Sequence, residues 1–201
     1  MQRDIRQDIS ASLARINDDY ARMVKDRMTI IEQYPTPFLQ HSSIYRIEHM
    51  NPRKPVVFYL GLTPERQAYL LTDQAENFVR LAQADGVSIH APETATSYAT
   101  AYLHATRSMS RLTYLVEAAS NISFRPHLTD EQTSSMHAFL SKYQAIITPP
   151  SARSEGESYV VNAFVVQEQT LLQYSIKVDK NGGITTEVAI LEQNLPLVYG
   201  L

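Results

Sequence analysis

Apolar positions recur in steps of four and three through the first segment: Ile9, Leu13, Ile16, Tyr20, Met23, Ile30 and Tyr34. The seven-residue step at Ile9, Ile16, Met23 and Ile30 reads as a heptad-like seam on a long amphipathic helix over residues 1–33. Arg27 interrupts the seam, and the other faces carry balanced acidic and basic residues. Pro35 and Pro37 end the pattern by removing backbone donors and displacing the preceding residue from the α region.

The period then shortens to two. Ile44 to Met50 alternates, Asn51 to Pro55 reads as a turn, and Val56 to Leu60 is rich in β-formers, which predicts a hairpin. Thr63-Pro64-Glu65 has the form of a helix start, followed by Ala68, Leu71, Ala75, Phe78, Val79 and Ala82 at helical spacing and a stop at Gly86. A third helix is expected from Pro92 through Ala119, with Ser108–Ser110 as the place where it bends or ends. A fourth starts at Thr129, where Gln132 completes a capping box.

Residues 148–158 are expected to be a surface loop. Beyond them, Tyr159 to Val166, Leu171 to Val178 and Ile184 to Leu191 predict a three-stranded meander, its last turn supplied by Lys180-Asn181-Gly182-Gly183. The resulting order is α-ββ-α-α-α-βββ. It implies an α+β fold in one domain over residues 1–201, with four helices packed on one face of a mainly antiparallel sheet.

Composition supports a folded core. Of 201 residues 44% are apolar, and the net charge of −3 gives no basic surface of the kind that attracts nucleic acid. The absence of cysteine excludes disulfides and thiolate chemistry. No apolar run reaches the length of a transmembrane helix, and the charged start MQRDIRQDIS lacks the apolar region of a secretory signal. The expected location is cytoplasmic, or periplasmic or secreted if a signal was removed. No cofactor is expected, because neither Gly-x-Gly-x-x-Gly nor a Walker loop occurs.

Three constellations bear on function. The seam residues Ile9, Leu13, Ile16, Tyr20, Met23 and Ile30 would suit a partner helix, in another protein or in a second copy forming a homodimer. Tyr98 and Tyr102 share a predicted helix face, and Arg107 and Arg111 are one helical turn apart, so a Tyr-lined pocket with an arginine anion clamp is an alternative. His90, Glu93 and His104 could offer two imidazoles and a carboxylate to a divalent ion in a metal-dependent hydrolase. No Gly-x-Ser-x-Gly elbow marks a nucleophile. The leading expectation is a non-catalytic binding or assembly module that self-associates through its N-terminal helix. Whether the chain is an enzyme is left open at this level.

Overall fold

The computed structural model describes residues 4–50 and 55–198. The turn expected at Asn51–Pro55 lies, but for Pro55, outside the described residues. Contacts divide the chain into two compact units, Met1–Ile89 with Ala101–Met109, and His90–Thr100 with Ser110–Leu201. The fold is α+β, with strands in two antiparallel sheets, one in each unit, rather than in a single sheet.

In the first unit, α1 (Ile5–Leu13) and α2 (Asp18–Lys25) precede β1 (Thr29–Tyr34), β2 (Ser43–His49), β3 (Val56–Leu62) and β4 (Ala68–Leu70), which pair in that order. Helix α3 (Ala75–Asp85) follows. Ile9, Leu13, Ala21 and Val24 of the two short helices bury against Ile47, Phe58 and Leu60 on one sheet face. Gly61 admits Leu81 of α3, whose Cδ2 would lie 2.3 Å from a Cβ built there.

The single helix expected over residues 1–33 is therefore corrected to two helices and a strand. Asn17 is the reason for the first break: its Oδ1 accepts the amides of Asp19 and Tyr20 at 3.0 and 3.1 Å. A short side chain that caps the next helix competes with continuation of the first. At the second break, Arg6 donates to the carbonyls of Val24, Asp26 and Thr29 at 2.6–2.7 Å. The β-branched Thr29, Ile30 and Ile31 then extend as β1.

A second correction concerns Thr63-Pro64-Glu65, which forms the β3–β4 turn. The Thr63 hydroxyl accepts the Gln67 amide at 3.2 Å, and Arg66 adopts φ 64°. Proline suits the first central position of a turn as well as the first turn of a helix. The helix itself starts twelve residues later than Thr63, at Ala75, and stops as expected at Gly86, with φ 74°.

Helix α4 (Pro92–Thr106) starts at the expected proline and ends just before Ser108–Ser110. The continuation expected to Ala119 instead holds β5 (Thr113–Val116) and a 3-10 turn at Ala119–Asn121. Helix α5 (Asp130–Tyr143) carries the capping box: the Thr129 hydroxyl accepts the Gln132 amide, and the Gln132 side chain accepts the Thr129 amide. We expect Thr129→Ala to cost about 1 kcal/mol in a urea melt.

The second sheet runs β5-β7-β8-β9, with β6 also on β7. Strands β7 (Ser158–Gln167), β8 (Thr170–Asp179) and β9 (Ile184–Glu192) are the expected meander. The surface loop expected over 148–158 is corrected: Ser151–Glu155 is β6, hairpinned to β7 through Gly156 at φ 61°. Its polar sequence Ser-Ala-Arg-Ser-Glu carries no apolar alternation to announce a strand. Phe139, Tyr143 and Ile147 bury against Val116, Phe164, Val166 and Leu171 to form this unit's core. Among the described residues no helix is long and apolar enough to cross a membrane.

Candidate functional site

The two lateral edges of the second sheet differ in kind. On one side the edge is shared by two short strands, β5 and β6, and β6 carries Arg153 and Glu155, with Glu155 also near Lys177. Charge and brevity are common means of keeping an edge from pairing. On the other side, β9 pairs with β8 alone, so among the described residues its outer backbone faces no strand. Val188 and Ile190 on this edge are 51% and 60% exposed.

Register explains how these residues share a face. Val188 lies opposite Tyr174 and Ile190 opposite Leu172, while Ala163 and Val165 of β7 lie opposite that same β8 pair. Directly opposed residues project to one side of a sheet. Ala163, Val165 and Leu172 are buried, so a row of apolar side chains runs from the covered interior out to an uncovered edge.

Both ends of β9 are anchored. At its start, the Asp179 carboxylate accepts the amides of Asn181 and Gly183 at 2.8 and 2.9 Å. The buried Tyr98 hydroxyl donates to the Gly182 carbonyl at 2.7 Å. At its end, Leu191 is the extra residue of a β-bulge, because Leu172 opposes Ile190 while Leu171 opposes Glu192. The Tyr143 hydroxyl donates to the Leu191 carbonyl at 2.9 Å and lies 3.1 Å from the Glu192 carboxylate. Lys142 reaches the same carboxylate at 3.1 Å. Its hydrogen bonds to Tyr143 and Glu192 hold the ammonium above the usual lysine range. Beside this end is an open cleft of about 410 Å³, with Phe124, Met136, Phe139 and Leu195 among its walls and Lys142 and Glu192 at its polar rim.

The seam residues expected to meet a partner do not form a continuous stripe. Ile9 and Leu13 are fully buried in their own unit, and Tyr20 stacks on Phe58 with ring centroids 4.3 Å apart. Met23 is partly buried, while Ile16, in the turn after α1, and Ile30, on β1, are exposed.

The other expected constellations separate too. Tyr98 is buried with its hydroxyl on Gly182, while Tyr102 sets its ring edge-on to Phe78 at 5.5 Å. Arg107 and Arg111 lie beyond the end of α4, in an irregular stretch, so helical spacing no longer aligns them. His104 meets Tyr34, whose hydroxyl is 3.2 Å from Nδ1. Burial, followed by the neighbouring Tyr59, pushes the Tyr34 phenol up, against an opposing effect of Arg107. His90, Glu93 and His104 do not form a ligand set: among the described residues no three His, Asp or Glu side chains form a group able to hold a metal ion.

No motif in the sequence marks the β9 edge. Its alternation marks a strand, but nothing in a single chain's periodicity says which strand of a meander is left without a neighbour. The comparisons add no homology to this geometry: no protein family, no curated protein and no solved structure was found to match the chain.

Proposed function

We propose that this chain is a non-catalytic assembly module that joins a second copy of itself by strand addition at β9. The observation that carries this reading is the unpaired edge of β9, where Val188 and Ile190 are exposed, in a sheet whose opposite edge is divided between two short strands, β5 and the charged β6. An unpaired strand edge offers main-chain donors and acceptors, and exposed alternate side chains give the pairing its register.

The sequence of β9 suits pairing with itself. In an antiparallel arrangement centred on Ala189, Val188 of each copy faces Ile190 of the other. These two apolar pairs lie on the regular part of the strand, before the bulge at Leu191. Such a contact is isologous and closes as a dimer instead of growing into a filament. The self-association expected through the N-terminal helix is thus reassigned to β9, because Ile9 and Leu13 are spent on the core of the first unit.

Light scattering coupled to size exclusion tests this. We expect the wild type to have the mass of a dimer, and the double variant Val188→Lys, Ile190→Lys to have that of a monomer with an unchanged circular dichroism spectrum. A wild-type monomer at the highest soluble concentration would overturn the proposal. So would a double variant that remains dimeric.

A further inference from the structure

Asn181-Gly182 is the one place in the sequence where asparagine precedes glycine. It lies in the β8–β9 turn, with Asn181 exposed and Gly182 buried. Glycine presents no Cβ to hinder its own amide nitrogen, which makes this pair the most reactive setting for cyclisation of an asparagine side chain. We propose that Asn181 is a site of spontaneous deamidation and that the Tyr98 hydrogen bond to Gly182 is the lock that governs its rate. This inference is independent of assembly through β9.

The reaction needs only water. The Gly182 amide nitrogen gives up its proton to hydroxide or water and attacks Asn181 Cγ. Nδ2 takes up a proton from water, the Cγ–Nδ2 bond breaks, and the nitrogen leaves as ammonia. Water then opens the resulting five-membered imide at either carbonyl, leaving aspartate or isoaspartate at position 181.

In the folded turn the nucleophile is restrained. The Gly182 amide donates to the Asp179 carbonyl at 3.1 Å, and Gly182 holds φ 80°. Its carbonyl is pinned by the Tyr98 hydroxyl at 2.7 Å, from a side chain with no solvent exposure. The Asp179 carboxylate fixes the amides on either side, those of Asn181 and Gly183. Cyclisation therefore requires the turn to open first, and its rate follows the population of the open form. The isoaspartate product adds one carbon to the main chain immediately before Gly182, which draws its carbonyl away from Tyr98. A modified chain thus loses the anchor that held the turn closed.

Peptide mapping by mass spectrometry after incubation in mildly alkaline buffer reads the reaction at every asparagine at once. We expect Asn181 to be converted ahead of all the others in the urea-unfolded chain, and more slowly in the folded wild type. Tyr98→Phe, which removes one hydrogen bond, should speed conversion in the folded protein about five-fold. Gly183→Ala is the second variant: a Cβ there would lie 2.2 Å from Asp179 Oδ2, so the carboxylate must shift from the position in which it holds the Asn181 and Gly183 amides, and we expect conversion to accelerate. An Asn181 no faster than the other asparagines in the unfolded chain would overturn the site. An unchanged folded-state rate in both variants would overturn the lock.

Discussion

Leu13→Ala lowers the stability of the protein by roughly 2–5 kcal/mol, whereas Ile16→Glu leaves it within about 0.5 kcal/mol. The two residues stand three apart in what reads as a single apolar stripe, yet their surroundings are opposite. Leu13 is fully buried among Ile9, Val24, Ile47, Phe58 and Leu60, so truncation removes burial and leaves a cavity in a packed layer. Ile16 sits in the turn between α1 and α2 at 51% exposure, where a carboxylate replaces an apolar side chain already in contact with water. Urea titration of both variants against the wild type measures the contrast. A single continuous helix presenting its seam to a partner would abolish it, since Ile16 would then lie in the contact beside Leu13.

Asp85→Ala costs roughly 2–3 kcal/mol and flattens the acid limb of the stability curve. Asp85 is the last residue of α3 and is 7% exposed. Its carboxylate accepts the amides of Gln40 and His41 at 2.6 and 2.9 Å, and that of Ser42. Burial alone would raise its pKa. The backbone bonds from Gln40, Ser42 and His41 outweigh burial and hold it below the usual carboxylate range. The sign follows from linkage. A depressed folded-state pKa contributes stability that is fully present above the unfolded value of about 3.9. That contribution is lost as pH falls through the folded value. Melts in a pH series should therefore show the wild type and Asp85→Ala converging in acid and separating towards neutrality. Parallel curves throughout would mean that the charged carboxylate is not what holds the 40–42 loop.

How much of this was legible in the sequence depends on what kind of signal each element carries. The capping box at Thr129, the proline at the head of α4 and the glycine after α3 are local devices, and each lies where its chemistry requires. The meander was legible because β-branched residues alternate over three long runs separated by turn residues. The N-terminal segment misled because its spacing of four and three spans two helices and a strand that happen to stay in phase. Asn17-Asp18-Asp19 was the contrary evidence: a capping residue followed by two acids at a helix N-terminus. Strand β6 was illegible for the reason that also protects it, since a polar edge has no apolar face to alternate.

The candidate sites fared differently because they rested on neighbours in space. Helical spacing aligned Arg107 with Arg111 only while the helix was taken to continue past Thr106. Tyr98, placed with Tyr102 on one helix face of a pocket, is buried with its hydroxyl on a backbone carbonyl 84 residues away. The openness of β9 is a property of the sheet as a whole. It depends on β5 and β6 both choosing the far side of β7, and no pattern within β9 encodes that choice.

Hydrogen exchange along β9 at two protein concentrations tests the central claim most directly. If β9 adds to its counterpart in a second copy, its amides that do not pair with β8 exchange slowly in concentrated solution and become fast on dilution, while those of β7 stay protected throughout. Outward amides of β9 that exchange fast at every concentration would contradict assembly through this edge.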